Sequence, residues 1–176
     1  NFAAWQYMKA VGITKQYNYA PIACVQPMYS LLKRQCESEI LPMAESEGLG
    51  VFSYSPLGGG VLTGKYLTKG KENDDGRLNK MAMYKVRYQD KIHAEIAEEF
   101  TNYAHDKGVS PITLALAWVE SHPAITAPII GGRSVEQIKA SLDAADMEMT
   151  EEMRNEISKI TRAPVTATDR SEEVVK

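Results

Sequence analysis

The sequence lacks three features that would each indicate a particular class of protein: a disulfide framework, a long apolar run and a surplus of positive charge. Its 176 residues contain only two cysteines, Cys24 and Cys36, which we expect to be reduced thiols. No apolar run reaches the roughly 18 residues of a membrane-spanning helix, so no membrane partner is expected. We therefore predict a cytoplasmic protein.

The charge balance and the histidines argue against two further functions. The net charge is −3 and the isoelectric point is near 5.7, whereas a dedicated nucleic-acid binder usually carries a basic surplus. None of the three histidines is paired with another at the spacing of metal ligands. We therefore expect neither a nucleic-acid partner nor a metal site.

The most informative segment that is present is VFSYSPLGGG at residues 51–60. A short apolar run predicts a buried strand, and the glycines after it would let the backbone approach a ligand closely. The segment IIGGRSVEQ at residues 129–137 repeats the arrangement, with a cation and a helix start after the glycines. Two such strand ends suggest a cofactor that carries phosphate.

The pattern along the whole chain predicts strands that alternate with helices. Strands are expected at 23–31, 51–55 and 127–130, and helices at 2–11, 38–47, 90–107, 112–120, 134–145 and 151–160. Residues 63–87 are expected to form a long loop, and residues 163–176 a C-terminal tail. Trp5 and Trp118 lie on apolar faces and are expected in the core.

Alternation of this kind implies parallel strands joined by crossovers. Three such strands leave two open edges and cannot close a barrel. The chain also has no starting Met. We therefore expect it to be part of a longer polypeptide.

Five segments together resemble the aldo-keto reductase family, in the order and at the spacing of that family. They are NFAAW at 1–5, VQPMYSLL at 25–32, YSPL at 54–57, LTGKY at 62–66 and IGGRSVEQ at 130–137. The resemblance implies an α/β fold, the (β/α)8 TIM barrel, which binds NADPH across the carboxyl ends of its strands. Residues 1–162 would supply strands six to eight with their helices, the C-terminal part of the barrel.

The resemblance also assigns residues to the nicotinamide end of the cofactor. Asn1 and Gln26 would bind the carboxamide with their side-chain amides. Tyr54 would stack on the nicotinamide ring, using its face and not its hydroxyl, because a flat aromatic ring offers a rigid surface to a flat heterocycle. The alternative for Tyr54 is a plain strand aromatic, which would be the favoured interpretation without its Ser-Pro-Leu neighbours.

The remaining assignments concern the phosphates and the adenine. The pyrophosphate-binding loop would comprise Ser55, Pro56, Leu57, Gly58, Gly60 and Lys65. The site of the 2′-phosphate would comprise Gly131, Arg133, Ser134 and Gln137, with Ser141 further along the same helix toward the adenine. Physical chemistry supports this second site, because a helix N-terminus presents free N–H groups and partial positive charge. The alternative for Arg133 is an ordinary surface arginine.

The family's catalytic tetrad of Asp, Tyr, Lys and His matches no segment of this chain, so no catalytic residue is assigned. We expect an NADPH-dependent reductase of aldehydes or ketones in which this chain supplies most of the cofactor-binding half and is inactive alone. The missing N-terminal half of the barrel would be its partner, and a homo-oligomer is possible. Two alternatives stay open: a non-catalytic nucleotide-binding module resembling potassium-channel β-subunits, and a half-barrel without cofactor that self-associates.

Overall fold

A computed structural model describes residues 1–67 and 76–168 of the chain. Its sheet contains three strands in the order β1 (Cys24–Val25), β2 (Gly50–Ser53) and β3 (Ala127–Pro128). Both strand pairs are parallel, which confirms the parallel arrangement expected from the alternating pattern. The chain is therefore a mixed α/β structure built on a short parallel sheet.

The described residues contain eight α-helices. They are α1 (Ala4–Tyr17), α2 (Ile40–Glu47), α3 (Arg77–Lys80), α4 (Ala82–Tyr88), α5 (Lys91–Asp106), α6 (Pro111–Glu120), α7 (Val135–Leu142) and α8 (Glu151–Lys159). Two 3-10 segments, Gln35–Glu37 and Gly58–Thr63, complete the regular structure. The region 63–87, expected to be one long loop, thus contains α3 and all but the last residue of α4, while residues 68–75 lie outside the described part of the chain.

The first strand is shorter than the sequence predicted, and Pro27 explains the difference. A proline has no N–H to donate to a neighbouring strand. Regular pairing therefore stops at Val25, and contact with the next strand resumes only as an isolated bridge between Met28 and Tyr54. Conversely, α1 continues past the predicted end and stops at Asn18, which adopts a left-handed conformation with φ of 53°.

Side-chain caps begin two of the long helices. The Ser110 side chain accepts a hydrogen bond from the Ile112 N–H, and Pro111 occupies the first turn of α6. Asp90 caps α5 in the same way. These caps satisfy backbone donors that have no partner inside the helix.

Among residues 1–67 and 76–168, helices cover one face of the sheet and leave the other face exposed. Val25 and Val51 point into the helical layer and are buried. Cys24 and Phe52, which alternate with them along the strands, are exposed in this chain. Strand residues alternate between the two faces, so the uncovered face extends along all of β1 and β2.

The core lies between the covered face of the sheet and the helices. Helix α6 is buried on all sides from Thr113 to Val119, which agrees with its mostly apolar sequence. Trp118 is fully buried, as expected. The expectation for Trp5 was wrong: its side chain is 65% exposed, because it lies on the side of α1 that no other described element covers.

A polar cluster fastens the C-terminal helix to the loop after β1. The Tyr29 hydroxyl donates to Glu37 at 2.7 Å, and Arg34 donates two hydrogen bonds of 2.9 Å to the same carboxylate. Arg154, on α8, donates to the main-chain oxygen of Trp118 and lies 4.9 Å from the centroid of its indole. Burial, and then the Glu37 carboxylate, raise the pKa of Tyr29.

Candidate functional site

The carboxyl ends of the strands border one cavity of about 420 Å³. Asn1, Gln26 and Tyr54 all line it. Gln26 follows β1 directly and Tyr54 follows β2, so the parallel sheet brings two residues together that are far apart in the sequence. Ligands of parallel α/β structures typically bind at this end of the strands.

Tyr54 and Asn1 contact each other directly inside this cavity. The Tyr54 hydroxyl donates to the Oδ1 atom of Asn1 at 2.9 Å. With Oδ1 engaged, the Nδ2 group is the part of the Asn1 amide that can donate to a ligand. The hydroxyl, which the sequence analysis gave no role, therefore sets the orientation of a neighbouring candidate contact.

Four residues of the glycine-rich turn after Tyr54 adopt a left-handed backbone conformation. Ser55, Gly58, Gly59 and Gly60 all have positive φ, between 57° and 93°. This backbone conformation is unfavourable for residues that have a Cβ atom, whereas glycine adopts it readily. A backbone hydrogen bond closes the turn, since the Gly58 N–H donates to the Ser55 carbonyl oxygen at 2.9 Å.

Gly58 and Gly59 are required for internal packing, and their approach to a ligand stays a prediction. A Cβ on Gly58 would lie 2.7 Å from Leu32, and a Cβ on Gly59 would lie 2.7 Å from Tyr84. Both clashes are with the protein's own side chains. Because glycine has no Cβ atom, the turn can pack against Leu32 and Tyr84.

The other residues expected to bind the pyrophosphate divide into buried and accessible ones. Pro56 is buried and Leu57 is half-buried against the core. Lys65 lies close to Gly60, where an added Cβ would come within 2.8 Å of its Nζ atom. The Lys65 ammonium is also 4.9 Å from the Tyr66 ring, which holds it beside the turn.

The expected 2′-phosphate residues lie together at the N-terminus of α7. The Ser134 side chain accepts from the Gln137 N–H at 3.4 Å, and Gln137 Oε1 accepts from the Arg133 N–H at 3.0 Å. All of these residues are exposed, and a Cβ added to Gly131 would meet nothing within 4 Å. The surface is therefore open to a ligand.

Glu136 belongs to the same surface and was missed in the sequence. Hydrogen bonds from its own backbone N–H, and then from the Ser134 side chain, lower the pKa of its carboxyl. The carboxylate thus uses the helix N-terminus that a phosphate would use. Its position two residues after the N-cap was the signal available in the sequence.

Ser141 lies apart from this open surface. Its side chain is buried, and its hydroxyl donates to the Gln137 carbonyl oxygen at 3.3 Å, one turn earlier in α7. The hydroxyl is therefore engaged within the helix. A contact between Ser141 and an adenine stays a prediction.

Two cations, Lys33 and Arg87, line the same cavity as Tyr54 and were not identified in the sequence. Arg87 lies on α4, inside the segment expected to be a loop, so no contact was assigned to it. The spacing of Tyr84 and Tyr88 across one helical turn was the available signal that this segment is a helix.

Among the described residues, no group of three or more His, Cys, Asp or Glu could hold a metal ion. None of the helices there has the length and apolar content that crossing a membrane requires.

Comparison with known proteins identifies a family whose members resemble this chain. The model of the Aldo/keto reductase family matches residues 1–162. The uncharacterized oxidoreductase YrpG of Bacillus subtilis is 35% identical over 164 residues, which are 93% of this chain and 48% of that protein.

Two further relatives cover similar parts of the chain. Norsolorinic acid reductase A of Aspergillus parasiticus is 29% identical over 88% of this chain and 37% of its own length. Human aldo-keto reductase family 7 member A3 is 32% identical over 83% of this chain and 48% of its own length. The chain spans about half the length of the curated relatives it matches.

Proposed function

Because the chain belongs to the aldo-keto reductase family, we propose that it forms the cofactor-binding part of an NADPH-dependent oxidoreductase that reduces aldehydes or ketones to alcohols. The family membership supports an oxidoreductase. The choice of NADPH, the carbonyl substrate and the roles of individual residues are parts of the proposal.

One observation carries this proposal: Asn1, Gln26 and Tyr54 line a single cavity at the carboxyl ends of parallel strands. The two amides offer donors and acceptors that match a carboxamide, and the tyrosine offers an aromatic face. The donor set therefore fits a nicotinamide ring. A bound NADPH would supply the hydride, and these residues would hold and orient its ring toward the substrate.

The phosphates would be held by the two neighbouring surfaces. We assign the pyrophosphate to the turn at 55–60 together with Lys65, and the 2′-phosphate to Arg133 and Ser134 at the start of α7. A guanidinium can bind a phosphate through two parallel hydrogen bonds. Helix N–H groups add further donors there.

We further propose that the three strands are strands six to eight of a (β/α)8 barrel, and that the preceding half of the barrel covers their exposed face. Exposure of Phe52 and Cys24 supports this, since both would be interior residues of a closed barrel. The catalytic groups would then lie in that other half. The cytoplasmic location and the homo-oligomer stay predictions.

The alternative function, a nucleotide-binding module without turnover, keeps the same cofactor contacts. Carbonyl reduction by the protein at its full native length separates the two. The 176-residue chain alone is expected to show no turnover near ordinary enzyme rates of roughly 1 per second. Such turnover by the chain alone would contradict the placement of the catalytic groups outside it.

Arg133→Ala tests the cofactor assignment. It should weaken NADPH binding by about 1.5–3 kcal/mol, the scale of hydrogen bonds to charged groups, and should change NADH binding little. Fluorescence titration of the full-length protein with each cofactor measures both affinities. Lys139→Ala is the matched control, because Lys139 is an exposed cation in the last turn of the same helix. Equal losses for NADPH and NADH would remove the 2′-phosphate assignment.

A further inference from the structure

A histidine that the proposed function does not use is buried where α4 meets α5. His93 lies in the first turn of α5, and only 9% of it is exposed. Its ring packs edge-on against that of Tyr88, the last residue of α4, with 5.7 Å between the ring centroids. The imidazole also donates a hydrogen bond to the Tyr88 main chain. His93 therefore joins the end of α4 to the start of α5.

The Nδ1 atom of His93 is buried and has no hydrogen-bond partner within residues 1–67 and 76–168. A neutral imidazole tolerates this, because its unprotonated nitrogen is an acceptor only. Protonation would add an N–H at this atom, and a buried donor without an acceptor costs free energy. The surroundings of His93 therefore favour the neutral ring.

The charges around His93 also oppose its protonation. Burial, and next the charge of Lys33 on the segment after β1, lower the pKa of His93. Asp90, the N-cap of α5, and the hydrogen bond to Tyr88 raise that pKa by less. Burial raises the pKa of Tyr88 to about 12, and Arg87 donates a hydrogen bond to its neutral phenol. A protonated His93 would thus share this corner with two cations, Lys33 and Arg87, and with the Asp90 carboxylate.

Tyr88 connects His93 to the glycine turn after β2. A Cβ on Gly59 would lie 3.3 Å from the Tyr88 ring, and a Cβ on Gly58 would lie 3.7 Å from it. The Tyr88 hydroxyl donates to the Sδ atom of Met28 at 3.8 Å, and Met28 lines the cavity at the strand ends. The ring that His93 contacts therefore packs α4 against both the turn and the cavity wall.

We propose that His93 is a pH-sensitive latch, whose neutral ring holds α4 on the glycine turn and whose protonation at Nδ1 in mildly acidic solution releases α4. Histidine suits this role, because its charge changes between pH 5 and 8. Once released, His93 would regain its ordinary pKa of about 6.5. The docked state therefore has its full advantage above that pH, and loses it as the pH falls from there toward the lowered pKa of docked His93.

Release of α4 would also loosen the proposed cofactor site. The pyrophosphate is assigned to the turn at 55–60, so the turn would lose the helix that packs against it. NADPH should then dissociate faster in acid. This consequence rests on the proposed function, whereas the release of α4 does not.

Hydrogen–deuterium exchange of the full-length protein measures the release of α4. Protection of the peptide 82–88, relative to its intrinsic exchange rate at each pH, should fall about three- to tenfold between pH 7.5 and 5.5, since one group with an ordinary pKa near 6.5 supplies at most about tenfold. His93→Gln keeps an N–H for the Tyr88 main chain but cannot be protonated, so its protection should not change with pH. The matched controls are His105→Gln, at an exposed position of the same helix, and His122→Gln, whose ring packs against Tyr29. Both should keep the wild-type response.

Lys33→Gln tests the latch without altering the histidine. Removal of this cation should bring the pKa of docked His93 closer to its ordinary value, so the acid-induced loss of protection should become smaller. Constant protection of 82–88 in the wild type, or a full wild-type loss in either His93→Gln or Lys33→Gln, would overturn the latch.

Stopped-flow fluorescence of NADPH release separates the latch from the proposed function. Release should be faster at pH 5.5 than at pH 7.5 in the wild type, and His93→Gln should remove the difference. Loss of α4 protection without faster release would leave the latch standing and contradict the assignment of the pyrophosphate to the turn. Absence of NADPH binding would contradict the proposed function, and the exchange measurements would still decide on the latch.

Discussion

At the scale of single residues, the hydroxyl of Tyr54 orients a second side chain in the candidate site. It donates to Asn1 Oδ1 at 2.9 Å, so the Asn1 amide is held with its Nδ2 group available. Tyr54→Phe should therefore weaken NADPH binding about two- to tenfold, the scale of one net hydrogen bond. Tyr54→Ala should weaken it further, because the stacking surface is also lost.

Fluorescence titration with NADPH and the thermal midpoint together measure this effect. Tyr103→Phe is the control, because that hydroxyl also donates to a single acceptor, Glu156 at 2.7 Å, but lies on α5. It should leave the affinity unchanged. Wild-type affinity in Tyr54→Phe would show that only the ring face is used, as the sequence alone suggested.

Glu136 makes a second prediction at this scale. Its carboxylate accepts from its own N–H and from Ser134, the donors that a 2′-phosphate would need. Glu136→Gln should therefore strengthen NADPH binding and leave NADH binding nearly unchanged. Competitive titration with the two cofactors measures the difference, and weaker NADPH binding would contradict this role.

The stability of the same variant should move in the opposite direction. The folded-state pKa of Glu136 is lowered, so its ionised form stabilises the fold at neutral pH. That contribution is lost as the pH falls through this lowered pKa. Glu136→Gln should thus be less stable than the wild type at pH 7 and equally stable in acid, as measured by urea unfolding at both pH values.

At the scale of elements, the glycine turn after β2 combines backbone strain with close packing. Gly59 has φ of 66°, and a Cβ there would lie 2.7 Å from Tyr84 on α4. Gly108 has φ of 69° with nothing within 4 Å of the same atom. A comparison of alanine substitutions at these two glycines therefore separates the cost of the left-handed backbone from the cost of a steric clash.

Gly108→Ala should cost roughly 1–2 kcal/mol of unfolding free energy, from the left-handed backbone alone. Gly59→Ala should cost that amount plus about 1–3 kcal/mol of overpacking. Urea denaturation of both variants measures the difference. Equal losses would mean that α4 moves away without cost and that the turn does not fix its position.

At the scale of the whole molecule, Arg154 ties α8 to two distant parts of the chain, the end of α6 and the segment after β1. It donates to the Trp118 oxygen, to the Ser121 side chain and to the Tyr29 hydroxyl. Arg154→Met should cost about 1–3 kcal/mol, because three partly buried acceptors each lose one hydrogen bond from a charged donor. Arg162→Met, at an exposed position just beyond α8, is the matched control and should leave the thermal midpoint unchanged. An unchanged midpoint in both variants would contradict a fastening role for the cluster.

Much of this architecture follows from local patterns in the sequence. The helices capped by Ser110 and Ser134 begin within a residue of their predicted starts, and the mostly apolar α6 is buried. The family was also identifiable from short segments, since each segment is contiguous. These features depend on residues within a few positions of one another, and one sequence is enough to show them.

The composition of the cavity was decided only by the tertiary structure. Lys33, Tyr54 and Arg87 come from three separate segments, and it is the parallel sheet, together with the packing of α4 over the glycine turn, that brings them to one place. The exposure of Trp5 and the hydrogen bond from Tyr54 to Asn1 have the same origin. The sequence by itself determined most of the helices, the parallel arrangement of the strands and the family, because those depend on local spacing, whereas α3 and α4 lie in a segment that was predicted to be a loop. Which charges share a cavity, and which hydroxyl orients which amide, depend on distances through space that no local pattern encodes.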